Sequence, residues 1–281
     1  MKLHRLLVLL VCLGHWPLAA SAADLRVMSF NVRLPLASDG DNRWEARRER
    51  LIGAIRDAAP DVIGTQELYP EQAEAIVAAL PGYRWFGRGR RGGRAGDEHM
   101  GVFYRHAALR VVESGDFWLS DTPDVPGSIS WGNLFPRMVS WALFERSADG
   151  HRFYLYNTHL PYRDEDQAAR VRGVEAILAR LSQLPGAVPL VLTGDFNATP
   201  DGPEYARLAD ALDDAWTTAA VRHGPEATFH AFSGKAERRI DWIFVRGLVA
   251  RSAHTLDTAD AGRYPSDHFP VLAVLAWPAS P

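Results

Sequence analysis

The sequence predicts an α/β protein of the α+β type, with mixed or antiparallel sheets covered by helices. Three observations lead there. Short apolar runs bounded by turn residues recur along the chain, as strands do. Between them lie helix-length stretches, and the longest carries Val171, Val174, Ile177, Leu178 and Leu181 at spacings of three and four, an apolar stripe that must face a sheet. Polar residues gather at the ends of the apolar runs, but not always at the same end. Asn31, Glu67, His159 and Asp195 follow their runs, whereas Asp241 opens "DWIFV" and Asp267 and His268 precede "FPVLAVLA". If all of these serve one site, some strands run towards it and others away, which excludes an all-parallel sheet.

In chain order, strands are expected at 25–30 and 62–64, with a helix at 44–58 between them. A second helix covers 70–80, and strands follow at 102–104, 117–119, 139–144 and 153–156. The striped helix occupies 165–184 and a strand 188–192. Pro203 is placed to open one more short helix through Leu212, because its missing N–H costs nothing in a first helical turn. Strands at 240–245 and 269–276 complete the chain.

The N-terminus reads "MKLHRLLVLLVCLGHWPLAASAADL", with Lys2 and Arg5 ahead of an apolar stretch and Ala20-Ser21-Ala22 after it. This is the pattern of a secretory signal peptide over 1–22, which implies a secreted or periplasmic protein. The apolar run is shorter than the ~20 residues a membrane span needs. Residues 23–281 then form one expected domain, long enough to bury a core without covalent staples. The single cysteine, Cys12, lies in the leader, so the mature chain has neither disulfides nor Cys-ligated zinc.

The formal net charge is −3, and loss of the leader makes the remainder more acidic. Such a chain does not grip nucleic acid generically. Its basic residues are uneven, however, with Arg43, Arg47, Arg48 and Arg50 in one cluster and Arg84, Arg88, Arg90, Arg91 and Arg94 in another. Either cluster suits a phosphate-bearing partner or a solvated face.

"LTGDFNATP" ends an apolar run on Asp195 and Asn197, which project together if the chain is extended while Phe196 turns into packing. The pair could hold a cation or a water beside a phosphate, although ordinary turns use the same residues. Asp241 sits among apolar residues, where an ionised carboxylate needs a partner. His268 in "YPSDHFPV" is the candidate, giving an imidazole oriented for proton transfer or for clamping phosphate; Arg238 or Arg239 are the alternative partners. Glu67 in "GTQE" is a hard carboxylate suited to Mg²⁺. No HExxH or Cys/His spacing appears among the ten histidines, which favours magnesium over zinc. Asn31 and His159, taken singly, suit capping or hydrogen bonding as well as catalysis.

Read in order, "SFNVR", "GTQE", "NTHL", "GDFN", "RIDWIFV" and "SDHFPV" resemble the endonuclease/exonuclease/phosphatase family of DNase I-like phosphoesterases, over about 25–276. The resemblance implies a four-layer α/β/β/α sandwich with two mixed β-sheets face to face. It implies that Glu67 binds Mg²⁺, or Mn²⁺, with Asn31 and Asp267 beside it. Asp195 and Asn197 would position or deprotonate the attacking water, and His268, paired with Asp241, would act on the phosphate. His159 matches a histidine that contacts phosphate or assists the leaving oxygen in several branches.

After "SFN" the chain continues "VRLPLAS" rather than the Gly-x-Arg pattern of the abasic-site endonuclease branch, which disfavours DNA repair. "GDEHMGVFYR", "GDFWLSDTPDVPGS" and "WGNLFPR" look like a bacterial secreted or envelope subgroup, which adds Glu98 near the metal and Arg137 near the phosphate as candidates. Trp131 and Phe135 beside Arg137 suit stacking of a base, or simply anchor a loop. The expected activity is hydrolysis of phosphate esters, with nucleic acid or nucleotide diesters placed before small phosphorylated metabolites or lipid head groups. A catalytically silent binding protein is the competing class, and no obligate protein partner is expected.

Overall fold

The structure, a computed structural model, describes residues 24–93 and 96–278; the leader 1–22 and Arg94 lie outside them. The first half comprises β1 (Leu25–Asn31), α1 (Trp44–Ala58), β2 (Val62–Gln66), α2 (Pro70–Ala79), β3 (Tyr83–Phe86), β4 (Val102–Arg105) and β5 (Leu109–Trp118). The middle is β6 (Met138–Arg146), β7 (Arg152–His159), α3 (Gln167–Leu181), β8 (Leu190–Asp195) and α4 (Pro203–Ala209). Then come β9 (Asp213–Asp214), α5 (Ala215–Thr218), β10 (Val221–His223), β11 (Asp241–Arg246), β12 (Val249–Thr255) and β13 (Val271–Ala276).

The strands form a seven-stranded sheet, β10-β12-β13-β1-β2-β4-β3, and a six-stranded sheet, β5-β6-β7-β8-β11-β9. Each is mixed, with a central parallel pair, β1·β2 or β7·β8, whose two strands are joined through a helix, α1 or α3; β10 also runs parallel to β12 at the edge of the first sheet. An antiparallel strand flanks each pair, β13 beside β1 and β11 beside β8. The polarity expected from the strand-end residues is therefore present in both sheets.

Inner-face side chains such as Val27, Val62 and Leu275 meet Phe144, Leu155 and Val191 of the other sheet. Outside, α1 and α2 cover Met28, Ile63 and Phe103, while α3 covers Tyr156, Leu192 and Phe244. The result is four layers. Leu51, Ile52 and Ile55 of α1 are buried on its sheet side, each worth roughly 1.5–3 kcal/mol of transfer energy. The stripe on α3 differs from the expected one: Gly173, Val174, Ile177 and Leu181 are buried, whereas Val171 and Leu178 sit at its half-exposed margins. The chain before α3, at 164–166, is a 3₁₀ turn.

Several strands carry no apolar run and were not expected. β12 buries only Ala250, Ala253 and Thr255, and β10 is wholly exposed. β5 was expected only at its end, because it is a sheet edge and its exposed Arg110, Glu113 and Ser114 break the pattern.

At one end of the sandwich the contact between sheets turns polar. Gln66 Nε2 donates to Asn157 Oδ1 at 2.7 Å, Thr193 Oγ1 donates to the same oxygen at 3.1 Å, and Asn157 Nδ2 donates to Thr65 O at 2.7 Å. Gly64 makes room for this layer, since a Cβ there would overlap the Thr193 hydroxyl and come within 2.6 Å of Asn157 Oδ1. Gly64→Val should therefore lower stability by about 1–3 kcal/mol or more, read as a lower urea midpoint with an unchanged slope. A midpoint equal to that of the wild type would show that the sheets can part there at no cost.

Candidate active site

Register brings the first groups together. In β7·β8, His159 pairs with Asp195, and in β8·β11 Asp195 pairs with Asp241, so three functional side chains lie side by side at one sheet end. The other sheet brings Asn31 opposite Gln66, with Glu67 next in the chain. Asp267 and His268 lie just before β13, which runs antiparallel to β1 and so starts at the same end.

Asp195 is almost wholly buried. Its Oδ2 accepts from Asn31 Nδ2 at 3.0 Å and lies 3.4 Å from His159 Nε2 and 3.8 Å from His268 Nε2. Its Oδ1 accepts from the backbone N–H of Asn197 at 3.0 Å. The chain is not extended here: Asn197 has φ 49°, and this turn, rather than a common strand face, brings Asn197 beside Asp195. Asn197 Nδ2 donates to Leu160 O at 3.1 Å and lies 3.0 Å from His159 Nε2. Phe196 packs inwards, stacked on Trp242 at 4.6 Å.

Burial, reinforced by the charge of Asp241, pushes the Asp195 carboxyl up to about 7 against the opposing pull of His268 and its hydrogen bonds. For His268, burial opposes the charged form, but Asp241 and Asp195 outweigh it and raise the imidazole well above its usual range. His268 Nδ1 is 2.9 Å from Asp241 Oδ2, so the cationic ring donates to that carboxylate. Arg239 pairs instead with Asp214. His159 has the opposite character, because burial and then the neighbouring Arg137 hold it well below its usual value and keep it neutral.

Glu67 Oε1 accepts from Asn31 Nδ2 at 3.1 Å, and its Oε2 accepts from the Leu34 N–H at 3.0 Å. Arg33 Nη1 lies 3.5 Å from Asp267 Oδ2 and 4.0 Å from Glu67 Oε2. Glu67 and Asp267 bring two carboxylates, donors of the kind a hard divalent ion takes, to a position already favouring positive charge, while Asn31 turns its Nδ2 to Glu67 and its oxygen to the Arg33 N–H. Asp195, Asp241 and His268 also present ligand atoms within 4.8 Å of one another. There His268 is held protonated between the two carboxylates, which leaves the ring no lone pair for a metal and makes that trio the poorer metal site.

These groups face a cleft of about 540 Å³ that is also lined by Glu98, Arg137, Phe135 and Phe229. Glu98 is buried against Arg90, Nη1 to Oε2 at 2.8 Å, and its other oxygen lies 3.4 Å from His159 Nδ1. Arg137 is buried at the cleft wall, where its guanidinium has, among the described residues, one hydrogen bond, to His159 O at 3.4 Å. Trp131 does not reach the cleft. Its ring packs with the cluster beneath α3 and its N–H bonds Asp121 at 2.8 Å, so the other aromatic of that loop, Phe135, is the one at the cleft.

The arginine clusters are largely occupied. Arg47 is buried and donates to Val32 O at 2.6 Å and Pro265 O at 3.0 Å, a staple between two site loops rather than a substrate rim. Arg88, Arg90 and Arg91 are paired with Asp116, Glu98 and Asp97. The residue that sequence reasoning missed is Arg33, whose signal was its place two residues after Asn31 in "SFNVR".

Residues 28–268 match the sequence profile of the endonuclease/exonuclease/phosphatase family. A protein of that family from Bacteroides thetaiotaomicron superposes with a TM-score of 0.86 at 33% identity, over 91% of this chain and 98% of that one. The mannosyl-6-phosphatase of the same organism superposes with a TM-score of 0.84 at 33% identity, over 90% of this chain and 100% of that one. Tyrosyl-DNA phosphodiesterase 2 of Mus musculus is 27% identical over 146 residues, 46% of this chain and 39% of the relative. The chain spans about half the length of the curated relatives it matches. Because the profile match takes in every side chain gathered at the cleft, from Asn31 to His268, this chain belongs to the endonuclease/exonuclease/phosphatase family of phosphoester hydrolases.

Proposed function

We propose that the protein is a divalent-metal-dependent hydrolase of small phosphate esters, in which water attacks phosphorus in line with the leaving oxygen. The observation that carries this reading is the pair at the cleft floor: a carboxylate raised towards neutrality, Asp195, 3.8 Å from an imidazole held cationic, His268. A base with a raised value accepts a proton from water more readily, and a fixed cation beside it stabilises charge on the phosphate. His268 is thus the clamp and Asp195 the base. Asp241 orients the imidazole, and neutral His159 with Asn197 holds Asp195 and its water in place. Glu67 and Asp267, with Asn31 beside them, would hold Mg²⁺ or Mn²⁺, which when bound supplies charge to neutralise phosphate oxygens. Arg137, buried with one weak hydrogen bond, has donors left for the phosphate.

In the arginine-rich loop Arg88, Arg90 and Arg91 each have a carboxylate partner, so that loop lends the expected nucleic-acid preference less weight. A bounded cleft and a sugar-phosphate phosphatase alignable over its whole chain favour a phosphorylated small molecule. The second reading is a nucleotide phosphodiester, favoured by Tyr69, Tyr162 and Phe229 along the cleft, which suit base stacking.

Two outcomes are expected. Asp195→Asn should lower kcat/KM by about 10²–10⁴ with the circular dichroism spectrum unchanged, and chelation should abolish wild-type activity until Mg²⁺ is restored. Hexose 6-phosphates should be turned over in preference to nucleotides and oligonucleotides; chelator-resistant turnover, or full activity in Asp195→Asn, would sink the mechanism. The pH profile follows from the same group: kcat/KM should rise with pH as Asp195 ionises, in the region of pH 7. His268→Gln removes the positive neighbour that favours the carboxylate, so the rise should move to higher pH. A rise that stays put or moves down would remove Asp195 as the base.

A further inference from the structure

Arg33 stands where no catalytic step above needs it, yet its surroundings fix it firmly. Its backbone is left-handed, with φ 54°. The N–H donates to Asn31 Oδ1 at 3.0 Å, and its carbonyl accepts from Gln72 Nε2 at 2.9 Å and from the Arg47 guanidinium. On the side chain, Nε and Nη2 donate to the two oxygens of Asp39 at 3.0 and 2.8 Å. That fork leaves Nη1 directed at Asp267 and Glu67. The hydrogen bonds to Asp39, then the charges of Asp267 and Glu67, keep the guanidinium protonated against its partial burial.

We propose that Arg33, clamped by Asp39, is a built-in positioning cation of the metal site that shares the Glu67 and Asp267 carboxylates with the divalent ion and limits the site to one ion. This rests on the functional reading above, which assigns those carboxylates to the metal. Glu67 and Asp267 carry the negative charge that attracts a divalent ion, and Arg33, with buried Arg47 behind it, already offsets part of that charge. Arg33 repels that ion while drawing on the same carboxylates, so it holds affinity down and keeps a second ion out. Asp39 is the counterweight. It draws the guanidinium back from the carboxylates and contributes negative charge of its own.

The two residues therefore act in opposite directions, and Mn²⁺ binding to the mature protein reads this without reference to turnover. By calorimetry, and by electron paramagnetic resonance of free Mn²⁺, the wild type should bind one ion per chain. Arg33→Met should bind Mn²⁺ more tightly, on the order of ten- to a hundredfold, or take up a second ion. Arg33→Lys, which keeps the charge, should return towards wild type. Asp39→Asn should bind Mn²⁺ more weakly, and its backbone is not part of the Arg33 hub, so it serves even where Arg33→Met is poorly folded. Unchanged or weaker binding in Arg33→Met, or tighter binding in Asp39→Asn, overturns this proposal alone. A wild type that binds no Mn²⁺ overturns it together with the metal-dependent function.

Discussion

The carboxylate of Asp195 is the point on which the two sheets meet chemically. A buried carboxylate is costly unless partners surround it, and no single strand can supply enough of them. Here Asn31 comes from one sheet, His159 from a strand flanking Asp195 in its own sheet, the Asn197 N–H from the turn that follows, and His268 from the turn entering the first sheet again. The sheets must lie at one spacing and register for these contacts to form together. The polar layer of Gln66, Asn157 and Thr193 extends the same demand further into the interface. Beyond it the contact between sheets is apolar and makes no such demand on geometry.

Two histidines in one cleft are driven apart by their neighbours. His268 lies between Asp241 and Asp195 and is held cationic, whereas His159 meets burial and the charge of Arg137 and is held neutral. Identical side chains are thus pushed in opposite directions because one is set among anions and the other is buried beside a cation. Burial and then the charge of Asp241 raise Asp195 against the pull of His268, so the raised carboxyl and the cationic ring share Asp241 as a neighbour.

The loops that deliver these side chains are strained. Arg33, Glu67 and Asn197 all have positive φ, a region that costs non-glycine residues energy on the order of 1–3 kcal/mol each. Hydrogen bonds hold all three in place: Arg47 and Gln72 on the Arg33 carbonyl, the Leu34 N–H on the Glu67 carboxylate, and the Asp195 carboxylate on the Asn197 N–H. Buried Arg47 and Gln72 lie on α1 and α2, so the outer helices also shape the cleft.

Much of this was legible in the residues themselves. Apolar runs long enough to be buried announce their strands, and a polar residue before or after a run marks the end at which it emerges; the ordered motifs, through their resemblance to one family, then place Asn31, Glu67, His159, Asp195, Asp241 and His268 in a common site. Edge and small-residue strands such as β5 and β12 left no such trace, because their side chains face solvent or pack as alanine. Local sequence also could not say that Trp131 packs beneath α3 while Phe135 reaches the cleft, or that Arg47 and Arg90 serve structure. A cation's role depends on which anion lies within a few ångströms, and that neighbour comes from distant chain. The sequence determined the layers and most of the cast of the site; tertiary structure alone decided the opposite shifts of His159 and His268 and the partners of Arg47, Arg90 and Arg239, since these are set by through-space neighbours rather than by chain order.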